Sequence, residues 1–132
     1  MNQETIEAEA MIIPEMKLSY LAAPYTDKDK AVVEERMKKI CIADSKLMKA
    51  GVYTVSPLMK HFILGYADLP GSFEYWRDYS MTLLCTVDQV IVLMLDGWKE
   101  SEGVQAEIKV ATDVGIPIVY LNEAGEFVEE VA

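Results

Sequence analysis

The chain has a single histidine, His61, and two cysteines, Cys41 and Cys85, among 132 residues. No Cys or His cluster carries metal-ligand spacing, so no zinc centre and no other metal or cofactor is expected. Each cysteine sits in a helix-like apolar stretch. Both are expected to be buried free thiols of a cytoplasmic protein, not partners in a disulfide. Basic residues are scarce as well: 12 Lys and Arg stand against 22 Asp and Glu, for a formal net charge of −10. They form no cluster, which disfavours polymeric nucleic acid and anionic membranes as partners. A small anion is still admissible, since a helix N-terminus offers backbone donors without net positive charge. No apolar run approaches the roughly 20 residues a membrane helix needs. The first residues show no basic segment followed by an apolar core, so no signal peptide is expected. Repeats and low-complexity segments are lacking too.

What remains is a globular composition, 52% hydrophobic, in a length suited to one domain. Met1 to Met16 holds four glutamates and the Pro14 break and reads as an N-terminal extension to a domain spanning 17–132. From there strand and helix alternate. Lys17 to Ala23 reads as a strand. Asp29 to Ala50 reads as a helix, with Val33, Met37, Ile40, Cys41, Leu47 and Met48 as its apolar stripe. A second strand follows at Val52 to Val55, then an irregular stretch to Gly71 that includes a short helix. Phe73 to Val87 is a helix and Gln89 to Asp96 a strand buried on both faces. Ser101 to Gly115 is a helix, Ile116 to Leu121 a strand, and Asn122 to Ala132 a short tail. This alternation predicts an α/β, flavodoxin- or Rossmann-like parallel sheet of about five strands with helices on both faces.

Glu107 is out of place in that pattern. At roughly 100° per residue, Val104, Ile108, Ala111 and Val114 share one stripe of the Ser101 helix, and Glu107 falls between Ala111 and Val114 within it. It also lies within two turns of a helix start that follows a buried strand, where open α/β sheets bind ligands. Either this carboxylate is buried, with its pKa raised, or it curls out to water. Tyr20-Leu-Ala-Ala-Pro-Tyr25 ends the first strand and should face Glu107 across a crevice. Tyr20 is there either to hold the carboxylate in one rotamer or simply to pack in the core. Tyr25 is placed to cover a flat ligand.

Those two phrases together carry a resemblance. Tyr20-Leu-Ala-Ala-Pro24-Tyr25 at the first strand end, with Ser101-x-Gly103-Val104-x-x-Glu107 after the Gln89 strand, resembles the nucleoside 2-deoxyribosyltransferase superfamily over most of 17–121. A small bacterial and phage branch that shares Gly97-Trp98-x-x-Ser101-x-Gly103 and the Trp76 helix is the most similar. The resemblance implies that Glu107 attacks the anomeric carbon of a nucleoside or nucleotide and that Tyr20 orients it. Six residues before that glutamate, transferases of unphosphorylated nucleosides have aspartate. The related 2′-deoxynucleoside 5′-phosphate N-hydrolases have a phosphate-contacting serine, and this chain has Ser101. A serine N-cap beside helix amides suits a phosphate where an aspartate would repel it, although Ser101 can also be only a cap.

The chain departs from the pattern at two positions. Ala23 stands where the first-strand motif usually has glycine. Ser80 stands where relatives carry the aspartate that recognises the base, and Asp78, two positions away, falls on a different helix face. His61, Tyr75 and Trp76 are further candidates for base contacts. The expected activity is cleavage of the N-glycosidic bond of a (deoxy)nucleoside 5′-monophosphate, with Glu107 and Tyr20 catalytic. Ser101, Gly103, Pro24, Tyr25, Asp78, Ser80 and His61 are expected to bind the substrate. Deoxyribosyl transfer to a second base, or nucleotide binding without turnover, are the alternatives. The Phe73 helix is apolar on more than one stripe (Phe73, Trp76, Met81, Leu83, Leu84, Val87), which predicts a homodimer or higher homo-oligomer.

Overall fold

A computed structural model describes residues 17–129; the expected N-terminal extension lies outside them. Five strands form one sheet in the order β2-β1-β3-β4-β5: β1 (Leu18–Ala22), β2 (Tyr53–Val55), β3 (Gln89–Leu93), β4 (Ile118–Leu121) and β5 (Phe127–Val128). The first four are mutually parallel and β5 runs antiparallel to β4. Four α-helices connect them: α1 (Lys30–Lys49), the single turn α2 (His61–Leu64), α3 (Phe73–Leu84) and α4 (Glu102–Val114). A 3-10 turn, Pro57–Lys60, leads into α2.

The strands alternate faces, as their period of two requires. Leu21 of β1 and Ala23 just after it, with Ile91 and Leu93 of β3, pack against Met37, Ile40, Ala43 and Leu47 of α1. Tyr20 and Ala22, with Val90 and Val92, pack on the other side against Leu84 of α3 and Val104 and Ala111 of α4. Tyr20 therefore points into the layer that holds α3 and α4. The order 2-1-3-4 makes β1 and β3 neighbours whose connections leave in opposite directions. A crevice opens beyond their carboxyl ends, at a topological switch point.

The caps form where the side chains allow them. Asp29 accepts from the amide of Ala31, Ser72 from Tyr75 and Ser101 from Val104. Several expectations need correction. Helix α3 stops at Leu84, three residues early, and β3 stops at Leu93, where the Leu95 amide turns back to the Leu93 carbonyl. Met48 and Val114, assigned to apolar stripes, are exposed in the last turns of their helices. Ala43 takes the buried place instead. Cys41 is only half-buried and Cys85 is exposed at the end of α3, so neither is a core thiol. The tail is more than a tail: Asn122 closes a turn onto Glu126 and folds Phe127–Val128 back along β4.

Candidate active site

A cleft of about 440 Å³ lies over the carboxyl ends of β1 and β3, within the size range of small-molecule sites. Ala23 and Tyr25 from the β1 turn, Lys60 and His61 ahead of and within α2, Phe73, Trp76 and Ser80 from α3, and Ser101, Gly103 and Glu107 from α4 line it. A larger open groove of about 820 Å³ sits at the opposite, amino ends of the strands, beside Gln89 and Ile118. Glu107 borders the smaller cleft and not that groove.

Glu107 projects from the second turn of α4 and is buried, 8% exposed. The Tyr20 hydroxyl, itself fully buried, donates to its Oε2. The contact follows from the register. Tyr20 is on the α4-facing side of β1, and Val104 and Ala111, one turn either side of Glu107, seat that helix on the same layer. Burial pushes the Glu107 carboxyl up to about 8, while the Tyr20 hydrogen bond pulls it down. Burial and the Glu107 charge drive the Tyr20 phenol far above its ordinary range, so Tyr20 stays a proton-bearing donor. Ser80, buried at the cleft wall, hydrogen-bonds the Tyr20 hydroxyl and slightly opposes that rise. Among the described residues no buried side-chain polar atom lacks a partner.

The remaining candidates divide. Ser101 lines the cleft while its Oγ accepts from the Val104 amide at 3.2 Å, which leaves its own proton to donate. Gly103 lines it too and lies against Phe73: a Cβ there would be 3.3 Å from the ring. That close approach packs α3 on α4. Tyr25 and His61 face each other across the cleft wall, Tyr25 Oη 2.6 Å from His61 Nδ1. Two candidates stand apart from this group: Pro24 is fully buried behind the lining, where Ala23 is the contact, and Asp78 is exposed on the face of α3 away from it. Trp76 lines the cleft, with its indole N–H donating to the Pro70 carbonyl at 2.7 Å, whereas Tyr75 is half-exposed outside it.

Sequence reading missed Arg36, Lys60 and a rim of carboxylates. Arg36 of α1 donates to the carbonyls of Tyr25 and Thr26 and to that of Asp96, tying together the turns that follow β1 and β3. Glu74, Glu100 and Glu102 line the cleft as exposed side chains, opposed by Lys60. The adjacency of Glu100 and Glu102 to Ser101 was the available signal for the rim. No group of His, Cys, Asp and Glu among the described residues has the arrangement to hold a metal ion, and no helix there is long and apolar enough to cross a membrane.

No curated protein matches the sequence. Among solved structures the chain is similar to a 2-deoxyribosyltransferase from the psychrotolerant bacterium Bacillus psychrosaccharolyticus, with 22% identity and a TM-score of 0.55 over 85% of this chain and 77% of that one. At that identity the likeness is one of fold: the same α/β arrangement of a mostly parallel sheet and its helices. A family model, described as a domain of unknown function (DUF1937), matches residues 17–123, the whole of the sheet up to β4 and every cleft residue named here: the chain belongs to the DUF1937 family.

Proposed function

We propose that this protein cleaves the N-glycosidic bond of a (deoxy)nucleoside 5′-monophosphate. In this reading Glu107 attacks C1′ through an oxocarbenium-like transition state, and water then releases the sugar from a glycosyl-enzyme. One observation carries the reading: a buried carboxylate, hydrogen-bonded by a buried tyrosine, on the wall of a cleft at the sheet's switch point. Such a pair suits nucleophilic attack because Tyr20 keeps one oxygen engaged while the poorly solvated other oxygen reacts. The similar solved structure is, by its printed name, a 2-deoxyribosyltransferase, and the placement of Glu107 and Tyr20 is compatible with that chemistry.

The phosphate is assigned to Ser101 and the first turn of α4. The acidic rim opposes it, but Glu74, Glu100 and Glu102 are exposed and screened. Two charges some 4 Å apart in water interact by only about 1 kcal/mol. Charge-assisted hydrogen bonds from a hydroxyl and amides are worth about 1.5–3 kcal/mol each, so the donors win. Transfer of the sugar to a second base is the second reading, favoured by the name of the similar structure. The active form is proposed to be a homodimer.

Nucleoside 5′-monophosphates incubated with the protein should yield free base by chromatography. The Glu107→Gln variant should bind them and release none. Adding a second base separates the outcomes: new nucleotide marks a transferase, free sugar phosphate a hydrolase. Base release that survives in Glu107→Gln would sink the mechanism, and no release from any nucleotide by the wild type would sink the activity.

A further inference from the structure

Tyr25 and His61 on the cleft wall, with Glu34 outside the lining, form a second set of proton-carrying groups. His61 Nδ1 lies 2.6 Å from Tyr25 Oη, and His61 Nε2 lies 3.1 Å from Glu34 Oε1. The three residues come from the β1 turn, α2 and α1, so the fold has to bring them together. The imidazole is mostly buried and packs edge-on against both the Tyr25 and Phe62 rings. Tyr25 is anchored by Arg36, which takes its carbonyl at 3.3 Å.

The geometry fixes where the protons sit. An ionised carboxylate can only accept, so Nε2 must carry the hydrogen shared with Glu34. A neutral His61 then has its lone pair on Nδ1 and accepts the Tyr25 hydroxyl. Once His61 is protonated, Nδ1–H donates to Tyr25 Oη instead, and the Tyr25 proton is released to point at a ligand. Glu34 on α1 and Lys60, the residue before His61 that also lines the cleft, are the charged groups beside this array. The Lys60 ammonium lies over the Tyr79 ring, 5.7 Å from its centre.

We infer that Tyr25, backed by His61 and Glu34, is the acid that protonates the departing base. The inference rests on the glycosidase reading and deepens it. As the Glu107 oxygen bonds to C1′, the C1′–N bond breaks and its electron pair goes to the base. A base nitrogen takes the Tyr25 proton, Tyr25 Oη takes the Nδ1 proton of His61, and His61 is left neutral with Nε2–H on Glu34. In the second half, water attacks C1′ and the Glu107 carboxylate leaves. The water's proton passes through Tyr25 back to His61 Nδ1, which resets the array as an acid turned base. Tyr20 cannot serve here, because its hydroxyl is committed to Glu107 and it does not border the cleft. Tyr25 is the catalytic residue of this set, and His61 and Glu34 act through it.

The test compares two leaving groups. A guanine 5′-monophosphate needs its base protonated, whereas the 7-methylguanine nucleotide already carries a positive base and leaves without help. Tyr25→Phe and His61→Gln should slow release of guanine by roughly 100-fold and release of 7-methylguanine by less than about threefold. His61 is the only histidine, so one imidazole gives the nitrogen NMR signals. The neutral ring should be the Nε2–H tautomer, and Glu34→Gln, an exposed change that spares the core, should weaken that preference. Equal slowing of both substrates, no slowing of either, or an Nδ1–H tautomer in the wild type would overturn the relay while leaving the glycosidase standing. Release of neither base by the wild type would overturn both.

Discussion

At the scale of single residues, the balance at Glu107 sets both reactivity and cost. Burial raises its pKa from an ordinary 4.5 to about 8, against the pull of the Tyr20 hydrogen bond. The folded state thus holds the Glu107 proton more tightly than the unfolded chain does. Its contribution to stability is complete below pH 4.5 and is lost as the pH rises through about 8. At about 1.4 kcal/mol per pH unit of difference this amounts to a few kcal/mol. Glutamine keeps the shape and removes the titration. The melting-temperature gap between Glu107→Gln and wild type should therefore widen, in favour of the variant, by roughly 10 °C from pH 4.5 to pH 8. A gap that stays constant across that range would show that the carboxylate is not desolvated in solution. Glu107 was legible in sequence because a helix stripe exposes any intruder, and Tyr20 because its phrase, Tyr20 to Tyr25, runs out of the first strand. Ser80 was noticed only as a missing aspartate. Its bond to the Tyr20 hydroxyl depends on how α3 lies over β1, which no local pattern encodes.

Elements meet at the cleft through Arg36. Its guanidinium reaches carbonyls 10, 11 and 60 residues away, so helical periodicity marks it only as a half-buried cation on α1. Gly97, in the turn after β3, has φ of +91° and is so close that a Cβ would be 2.7 Å from Arg36 Nη2. Alanine would meet two penalties there: about 1–2 kcal/mol for the left-handed conformation, and displacement of the guanidinium from its carbonyls. Gly97→Ala is expected to lower stability to denaturant by about 2–3 kcal/mol. In an Arg36→Ala background the same change should cost about 1–2 kcal/mol, the strain alone. An equal cost in both backgrounds would show that Arg36 does not hold the turn. Caps were readable at this scale because Asp29 and Ser101 act on amides two or three residues away. The clamp was not, because it exists only after the sheet has formed.

For the whole molecule, alternating strands and helices were enough to read a parallel sheet covered on both faces, since only buried parallel strands are apolar without alternation. The two-residue β5 is too short to carry a period and shows itself only through the Asn122–Glu126 turn. Assembly is where the sequence argument has to be rebuilt. Phe73, Trp76, Met81, Leu83, Leu84 and Val87 were expected to leave an apolar face for a partner, but all six, five in α3 and Val87 after its end, are buried or half-buried within the protein. Of the large apolar side chains that are exposed among the described residues, five gather in two segments, Phe62, Ile63 and Tyr66 in and just after α2 and Tyr75 and Tyr79 of α3, with Tyr66 96% exposed; Ile42, Met48, Tyr53, Val114 and Phe127 lie on other elements. These two segments both border the cleft, so their aromatic surface lies beside the site and not behind it. Covering it with a second copy about a two-fold axis would remove this exposure and deepen the cleft. Sedimentation of the wild type at micromolar concentration should give a dimer mass. A Phe62→Ser, Tyr66→Ser, Tyr75→Ser triple variant, which removes side chains that are each at least half exposed, should sediment as a folded monomer. A monomeric wild type, or a triple variant that remains dimeric, would remove α2 and α3 as the interface.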